Sequence, residues 1–362
     1  MARFEGIHWS TKQMRYALTD KTYELLPADA PVAACSRSTN YAIFLAFEGI
    51  RFFCRKNGIG GLEAIFLNWD QNIERFRRSI AFNIGHDSLR LVPTAEELET
   101  ILIGRYFREP EMRGFFEEMA ALGAQGYLRP FTIDEEQSIG VTFANQPAIR
   151  ALTSRYDRYL GEPFTGVVIP HLVRAVGVNK TGCLKLGVNY VMSVMAIQEA
   201  KRIDSTAAGA LFLDDQTHLP IEQRQVTEWD SSCCLFAFRD GTVVKIPENP
   251  LILPSITIQG IKSILTHQGV HVEERFLTYG ELVRRSQAGE LVTVCSIGTA
   301  GILNRCAKLI LVDGETKVIG THVPDEKHPL YDKLAEARTY YWNIYKGVVP
   351  PIEGMKLFKY AL

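Results

Sequence analysis

The chain has 362 residues, 46% of them hydrophobic, with 40 Lys and Arg against 41 Asp and Glu. That length supports two domains with real cores, and the balanced charge gives no field to steer nucleic acid or an anionic membrane. The partners to expect are small molecules and a second copy of the chain.

The N-terminal stretch "MARFEGIHWSTKQMRYALTDK" is polar and charged where a signal peptide needs an apolar run, and no apolar stretch reaches membrane-spanning length. A cytoplasmic protein is expected. Next, "NYAIFLAFEGIRFFCR" (40–55) reads as a strand or buried segment. In "NWDQNIERFRRSIAFNIG" (68–85), Ile73, Phe76 and Ile80 recur at helix spacing before a glycine. "TAEELETILIGRYFRE" (94–109) opens a second helix, with Thr94 and Glu97 placed as a capping box. "SRYDRYLGEPFTG" (154–166) is rich in Tyr, Gly, Pro and charge and reads as a connection. Beyond it come the strand "GALFLDD" (209–215) and the hairpin "CCLFAFRDGTVVKI" (233–246), turning at Asp240-Gly241. They alternate with the helices "NYVMSVMAIQEAKRI" (189–203) and "SITIQGIKSILTHQG" (255–269). The class is α/β (α+β): a small N-terminal α/β domain over 1–154, an inter-domain loop over 155–163 and a larger C-terminal α/β domain over 164–362. No GxGxxG follows a strand, which argues against a dinucleotide fold.

The seven cysteines lack CxxC pairs, and adjacent Cys233 and Cys234 cannot easily bridge. Reduced thiols are expected, and the eight scattered histidines suggest no metal. The most unusual setting is "LKLGVNY" (184–190), which places Lys185 between two leucines. A surface lysine is the plain reading. A lysine that acts as a nucleophile must be partly neutral near pH 7, and apolar neighbours favour the neutral form by desolvation.

Several pieces occur in order with "KLGVNY". They are "FEGIR" (47–51), "IERFRRSI" (73–80), "YLRP" (127–130), Arg174, "VTE" (226–228), "LPSIT" (253–257), "GVHVEERFLTYGEL" (269–282) and "GTAGI" (298–302). From Phe47 to the C-terminus the chain thereby resembles the fold-type IV pyridoxal-phosphate enzymes, and among them the branched-chain amino acid aminotransferases. The resemblance implies pyridoxal 5'-phosphate as cofactor and a homodimer. It also implies amino transfer between an L-amino acid, branched-chain or glutamate-like, and a 2-oxo acid.

The same resemblance assigns roles. Lys185 matches the lysine that is joined covalently to the cofactor and moves the proton at the substrate α-carbon. Tyr190 matches the tyrosine on the cofactor's phenolic oxygen. Glu228 matches the carboxylate that keeps the pyridine nitrogen protonated, so that the ring withdraws electrons. Ser255 would cap a helix whose Ile256 and Thr257 amides face the phosphate, and Thr299 matches a second hydroxyl donor. Arg129 matches a basic residue near the carboxylate site, and Phe47 and Tyr127 match the apolar pocket wall. Taken singly, each has a plainer reading as core tyrosine, loop glutamate, or ordinary helix and turn.

Six positions depart from the pattern. A phosphate-clamping arginine is expected at position 68, where Asn68 stands; losing such a charge-assisted bond should weaken cofactor binding about ten- to a hundredfold. Val188 and Trp229 replace glycines, "LPSITI" replaces "LPGITR", and Cys233 replaces an asparagine. Val188 and Trp229 are expected to narrow or reshape the pocket. Besides amino transfer, for which specialised biosynthesis is one setting, two readings stay open: another reaction on the same cofactor, such as a lyase or racemase, and a non-catalytic relative that has lost the phosphate site.

Overall fold

A computed structural model describes residues 4–42, 44–159, 163–175 and 177–362. The chain forms two compact units, one of residues 2–159, 185–188 and 355–362 and the other of residues 160–184 and 189–354.

The first unit contains β1 (Phe4–Ala17), β2 (Tyr23–Pro27), β3 (Ile50–Lys56), β4 (Leu62–Leu67), β5 (Gln125–Asp134), β6 (Pro147–Tyr159) and the C-terminal strand β16 (Leu357–Ala361). They form one antiparallel sheet in the order β16-β4-β3-β5-β6-β1-β2. On β5, Gly126 and Leu128 are buried while Tyr127 and Arg129 on the other face are half-buried, as strand alternation requires. Packed with the sheet are α1 (Arg37–Tyr41), α2 (Trp69–Ile84), α3 (Ala95–Glu99) and α4 (Pro110–Leu122). The predicted α2 forms as read: Ile73, Phe76 and Ile80 are buried, and the helix stops at Gly85, whose φ is 93°. An aromatic cluster fills the core, with Phe107 5.0 Å from Phe52 and 4.7 Å from Phe116 between ring centroids.

Several expectations need correction here. The long polar strand β1 was not anticipated; Met14 and Tyr16 are the large apolar side chains that it buries, beside the polar Ser10 and Gln13. In 40–55, α1 occupies the start and the strand begins only at Ile50. The helix at 94–109 opens with its capping box intact: Thr94 Oγ1 accepts from Glu97 N at 3.0 Å, and the Glu97 carboxylate accepts from the Thr94 amide. It then widens into a π turn over Thr100–Arg105 and a 3-10 turn over Tyr106–Arg108. That rotation brings Leu102, Tyr106 and Phe107 all into the core. Of the loop expected over 155–163, residues 155–159 are instead the end of β6, held by pairs such as Tyr156 with Gln125 and with Ile7. Residues 160–162 lie outside the described residues. Finally, Lys185–Val188 and the C-terminal strand pack in the N-terminal unit, not with the rest of 164–362.

The second unit contains β7 (Phe164–Ile169), β8 (Ala207–Leu213), β9 (Val226–Trp229), β10 (Cys233–Phe238), β11 (Thr242–Lys245), β12 (His271–Glu274), β13 (Leu291–Gly298), β14 (Ile302–Val312) and β15 (Val318–His322). The order is β12-β11-β10-β13-β14-β7-β8-β9, with β15 also paired to β14. Its helices are α5 (Asn189–Ile203), α6 (Ile256–His267), α7 (Tyr279–Gln287) and α8 (Pro329–Tyr345). The hairpin turns where expected, with Gly241 at φ 92° and Asp240 accepting from Thr242 N at 2.9 Å. All seven cysteines are free. Among the described residues no helix is long and apolar enough to cross a membrane, and no group of three or more His, Cys, Asp or Glu is placed to hold a metal.

His322, at the end of β15, is 7% exposed and its Nε2 lacks a hydrogen-bond partner. Burial lowers its pKa from 6.5 to about 4, against a small opposing effect of a hydrogen bond to the Val292 backbone. The unfolded chain therefore takes up this proton first as the pH falls, and stability is lost between 6.5 and 4, by about 2 kcal/mol at pH 5. His322→Gln should lose correspondingly less stability between pH 7 and pH 5 in urea unfolding; an unchanged loss would exclude His322 as its source.

Candidate active site

In the N-terminal unit, Lys185 is fixed by its backbone. Its amide donates to Ser79 Oγ on α2 at 3.0 Å, and its carbonyl accepts from Phe47 N at 3.0 Å. Leu186 bridges Ala46, and Gly187 N donates to Leu45 O at 3.0 Å. The short segment Lys185–Val188 is thus an added edge on the approach to "FEGIR". The Lys185 ammonium lies 5.2 Å from the centre of the Phe47 ring. The Arg129 guanidinium covers the same ring at 4.6 Å, and its Nη2 donates to Tyr127 Oη at 2.9 Å. Phe47, Tyr127, Arg129 and Lys185 are therefore brought together. Gly49 makes this possible, because a Cβ there would sit 1.8 Å from Tyr127 Oη.

Beneath this cluster is a pair that sequence reasoning passed over. Glu48, fully buried, receives Arg75 Nε at 2.8 Å and Nη2 at 2.6 Å, a bidentate bridge. Burial alone would raise the Glu48 carboxyl. The charge and hydrogen bonds of Arg75, with the charge of Lys185, hold it below the usual carboxylate range. The sequence signal was the position of Arg75 on the buried face of α2, between Asn72 and Ser79 and beside the apolar row of Ile73, Phe76 and Ile80.

In the C-terminal unit, Tyr190 stands in the first turn of α5, half-buried. Asn189 beside it is buried and donates to Thr181 O at 2.7 Å and Leu184 O at 3.1 Å, which ties down the chain entering the helix. Glu228 is buried at the end of β9 and pairs with Arg174, while its Oε1 accepts from Leu253 N at 3.3 Å. Arg174 is anchored in turn on Gly182 O at 3.0 Å and Leu251 O at 3.1 Å. At α6, Ser255 Oγ accepts from Ile258 N at 3.3 Å. The amides of Ile256 and Thr257 belong to the first turn, where the helix itself supplies no acceptor. Thr299 sits half-buried in the turn from β13 to β14.

A comparison with protein-family models finds no match. Among curated proteins, the chain is 27% identical over 291 residues to a probable branched-chain-amino-acid aminotransferase of Staphylococcus aureus (strain N315), covering 79% of this chain and 74% of that protein. It is 26% identical over 319 residues to branched-chain-amino-acid transaminase 1 of Bacillus subtilis (strain 168), covering 86% and 83%. Among solved structures, the PLP-form branched-chain amino acid aminotransferase of Thermobaculum terrenum matches with a TM-score of 0.68 and 16% identity over 96% of this chain and 98% of that one. The branched-chain aminotransferase of Thermoproteus uzoniensis with norvaline matches with a TM-score of 0.67 and 19% identity over 96% and 99%. The chain has the fold-type IV fold of these enzymes.

Within that fold-type IV frame, the departures have local explanations. Trp229 follows Glu228 on β9 and so points to the opposite face of the strand. It is buried there, with Nε1 donating to Cys295 O at 3.1 Å and its ring 5.2 Å from Phe164. Gly166 leaves the room, since a Cβ on it would lie 2.4 Å from the indole. The expectation that Trp229 narrows the pocket is therefore corrected: the ring belongs to the hydrophobic core. Val188 is 61% exposed and narrows nothing in its own unit. Cys233 Sγ donates to Leu253 O at 3.5 Å, on the residue whose amide supports Glu228. Asn68, at φ 55°, is committed elsewhere: its N donates to Lys356 O at 2.8 Å and its Oδ1 accepts from Lys356 N at 2.7 Å. Asn68 thus seats the C-terminal strand.

Proposed function

We propose that the chain is a pyridoxal-phosphate-dependent aminotransferase that moves an amino group between an L-amino acid, branched-chain or glutamate-like, and a 2-oxo acid. The observation that carries this reading is the convergence of Lys185, Phe47, Tyr127 and Arg129 above the buried Glu48–Arg75 pair. The Lys185 ammonium, 5.2 Å from the Phe47 ring that Arg129 also covers, is directed at these side chains and not left in open solvent.

The residues present fit the cofactor. A buried carboxylate, Glu228, is kept compensated by Arg174 and the Leu253 amide, which suits it to hold a protonated ring nitrogen. The first turn of α6 offers amides for a phosphate, and Tyr190, Thr257 and Thr299 add hydroxyls. When bound, pyridoxal phosphate withdraws electrons from the substrate α-carbon. Lys185 Nζ would take the proton from that carbon and return it, held in position by Ser79 and Phe47. Glu228 would keep the ring nitrogen protonated, and Phe47 and Tyr127 would shield the reacting carbon from water. The same reading includes a homodimer, which rests on the resemblance, and a cytoplasmic location, which rests on the polar and charged character of the sequence.

Arg129 would receive the second carboxylate of a glutamate-like donor. Arg129→Leu should raise KM for L-glutamate by about ten- to a hundredfold while changing that for L-leucine little, because a charge-assisted hydrogen bond is worth about 1.5 to 3 kcal/mol. Equal losses for both donors would show that Arg129 acts through Tyr127 and Phe47 instead. The reading as a whole is tested by incubating the chain and pyridoxal phosphate with L-leucine or L-glutamate and a 2-oxo acid. Formation of the matching new amino acid is the expected result; loss of carbon dioxide or racemisation of the donor without amino transfer would replace it with another reaction.

A further inference from the structure

Ser79, on the inner face of α2, is 0% exposed. Packing there would be met by an alanine, which a helix also prefers to serine, and a buried hydroxyl costs stability unless it is bonded. The hydroxyl proton goes to the carbonyl of Arg75, four residues back, at 3.1 Å, a bond that serines inside helices commonly make. It fixes the side chain and leaves the oxygen's lone pairs for another donor. The Lys185 amide, 106 residues along the chain, takes that place at 3.0 Å.

The carbonyl of the same lysine is held through the same neighbours. Lys185 O accepts from Phe47 N at 3.0 Å, and Phe47 precedes Glu48. The Glu48 carboxylate takes Arg75 Nε at 2.8 Å and Nη2 at 2.6 Å, with Gly49 N on its Oε1 at 2.8 Å. The Glu48 amide donates to Pro130 O at 2.9 Å. These bonds close into a circuit that runs from Lys185 to Ser79, to Arg75, to Glu48, and from the adjoining Phe47 back to Lys185. Every member belongs to the N-terminal unit, which takes in Lys185–Val188 but not the residues on either side of them. One hydroxyl thus ties the lysine backbone to a buried ion pair.

We propose that Ser79 is a positioning residue for Lys185: its hydroxyl couples the backbone of the lysine to the Glu48–Arg75 pair and so sets where Nζ meets the carbon it attacks. The inference deepens the pyridoxal-phosphate reading and rests on it. Lys185 Nζ would add to the cofactor's aldehyde carbon and form a carbon–nitrogen double bond, its two protons leaving with the aldehyde oxygen as water. It would later exchange a proton with the substrate α-carbon. Both steps depend on reach and angle, and a displacement of about 1 Å can slow such a step about a hundredfold. The ion pair then serves the reacting lysine as well as the stability of the fold.

The test separates covalent attachment from binding. Pyridoxamine phosphate has no aldehyde, so its affinity reports the pocket without the covalent step. Ser79→Ala should bind pyridoxamine phosphate as the wild type does, yet join pyridoxal phosphate to Lys185 about ten- to a hundredfold more slowly, followed by absorbance and by borohydride trapping. The kcat of amino transfer should fall with it while KM stays near the wild-type value. Ser79→Thr keeps the hydroxyl and should restore the rate; Ser79→Cys, a weak acceptor, replaces the alanine variant if that one fails to fold. Slow attachment with an equal loss of affinity for pyridoxamine phosphate would show general damage to the structure and overturn the proposal. A wild-type chain that labels no lysine removes the functional reading itself; one that labels Lys185, with Ser79→Ala labelling equally fast, removes only the role of Ser79.

Discussion

Lys185→Ala should fold like the wild type and lose amino transfer by about a hundred- to ten-thousandfold, the range associated with removing a positioned acid-base group. Both hydrogen bonds that place this residue come from its backbone, to Ser79 and Phe47, so they survive the substitution. The contact of the ammonium with the Phe47 ring is lost, worth about 0.5 to 1 kcal/mol, together with its charge beside Glu48, which keeps Arg75 as its main partner. Large kinetic and small stability effects together are the signature of a residue kept for its chemistry. The check is a steady-state assay beside a thermal melt, with borohydride trapping of the cofactor on the protein. Trapping should label the peptide containing Lys185 in the wild type and nothing in the variant. A variant with near-normal turnover, or label on another lysine, would move the chemistry elsewhere.

Arg75→Met should destabilise the chain by about 3 to 5 kcal/mol, because it strands the fully buried Glu48 carboxylate. Removing both charges, in Glu48→Gln with Arg75→Met, should recover much of that loss, since the penalty is for the unpaired charge and not for the missing bridge. The pH dependence separates this account from simple loss of packing. In the wild type Arg75 and Lys185 hold Glu48 below the usual range against its burial, so its contribution is present at neutral pH and lost in acid. Without Arg75, burial dominates and Glu48 takes up a proton at higher pH. The difference between variant and wild type should therefore shrink as the pH is lowered from 7 toward 4. Urea unfolding at several pH values reads this directly; a gap independent of pH would point to lost packing.

Features governed by neighbours a few residues apart were legible in the sequence. The cap at Thr94, the bounds of α2, α5 and α6, and the Asp240-Gly241 turn all depend on contacts within one or two turns of chain, and they form as read. Motif order carried the fold-type IV resemblance and drew attention to Lys185, Phe47, Tyr127 and Arg129, which the structure gathers. What stayed hidden depends on distant pairing. The Glu48–Arg75 bridge spans 27 residues, and β16 pairs with β4 across most of the chain. That pairing occupies Asn68, whose place at the position expected for arginine had suggested a ligand to the phosphate. Trp229 was misread because a sequence does not say which face of a strand has room, and Gly166 and Gly209, which make that room, lie on other strands. β1 escaped notice because its polar residues outnumber the few that face inward.

The most direct measurement is the visible absorbance of the purified chain titrated with pyridoxal phosphate, then with L-glutamate or L-leucine, and finally with a 2-oxo acid. The account predicts a new band that Lys185→Ala does not form, its disappearance on adding the amino acid, and its return with the 2-oxo acid. A chain that develops no such band at any cofactor concentration, or whose band ignores both substrates, would contradict it.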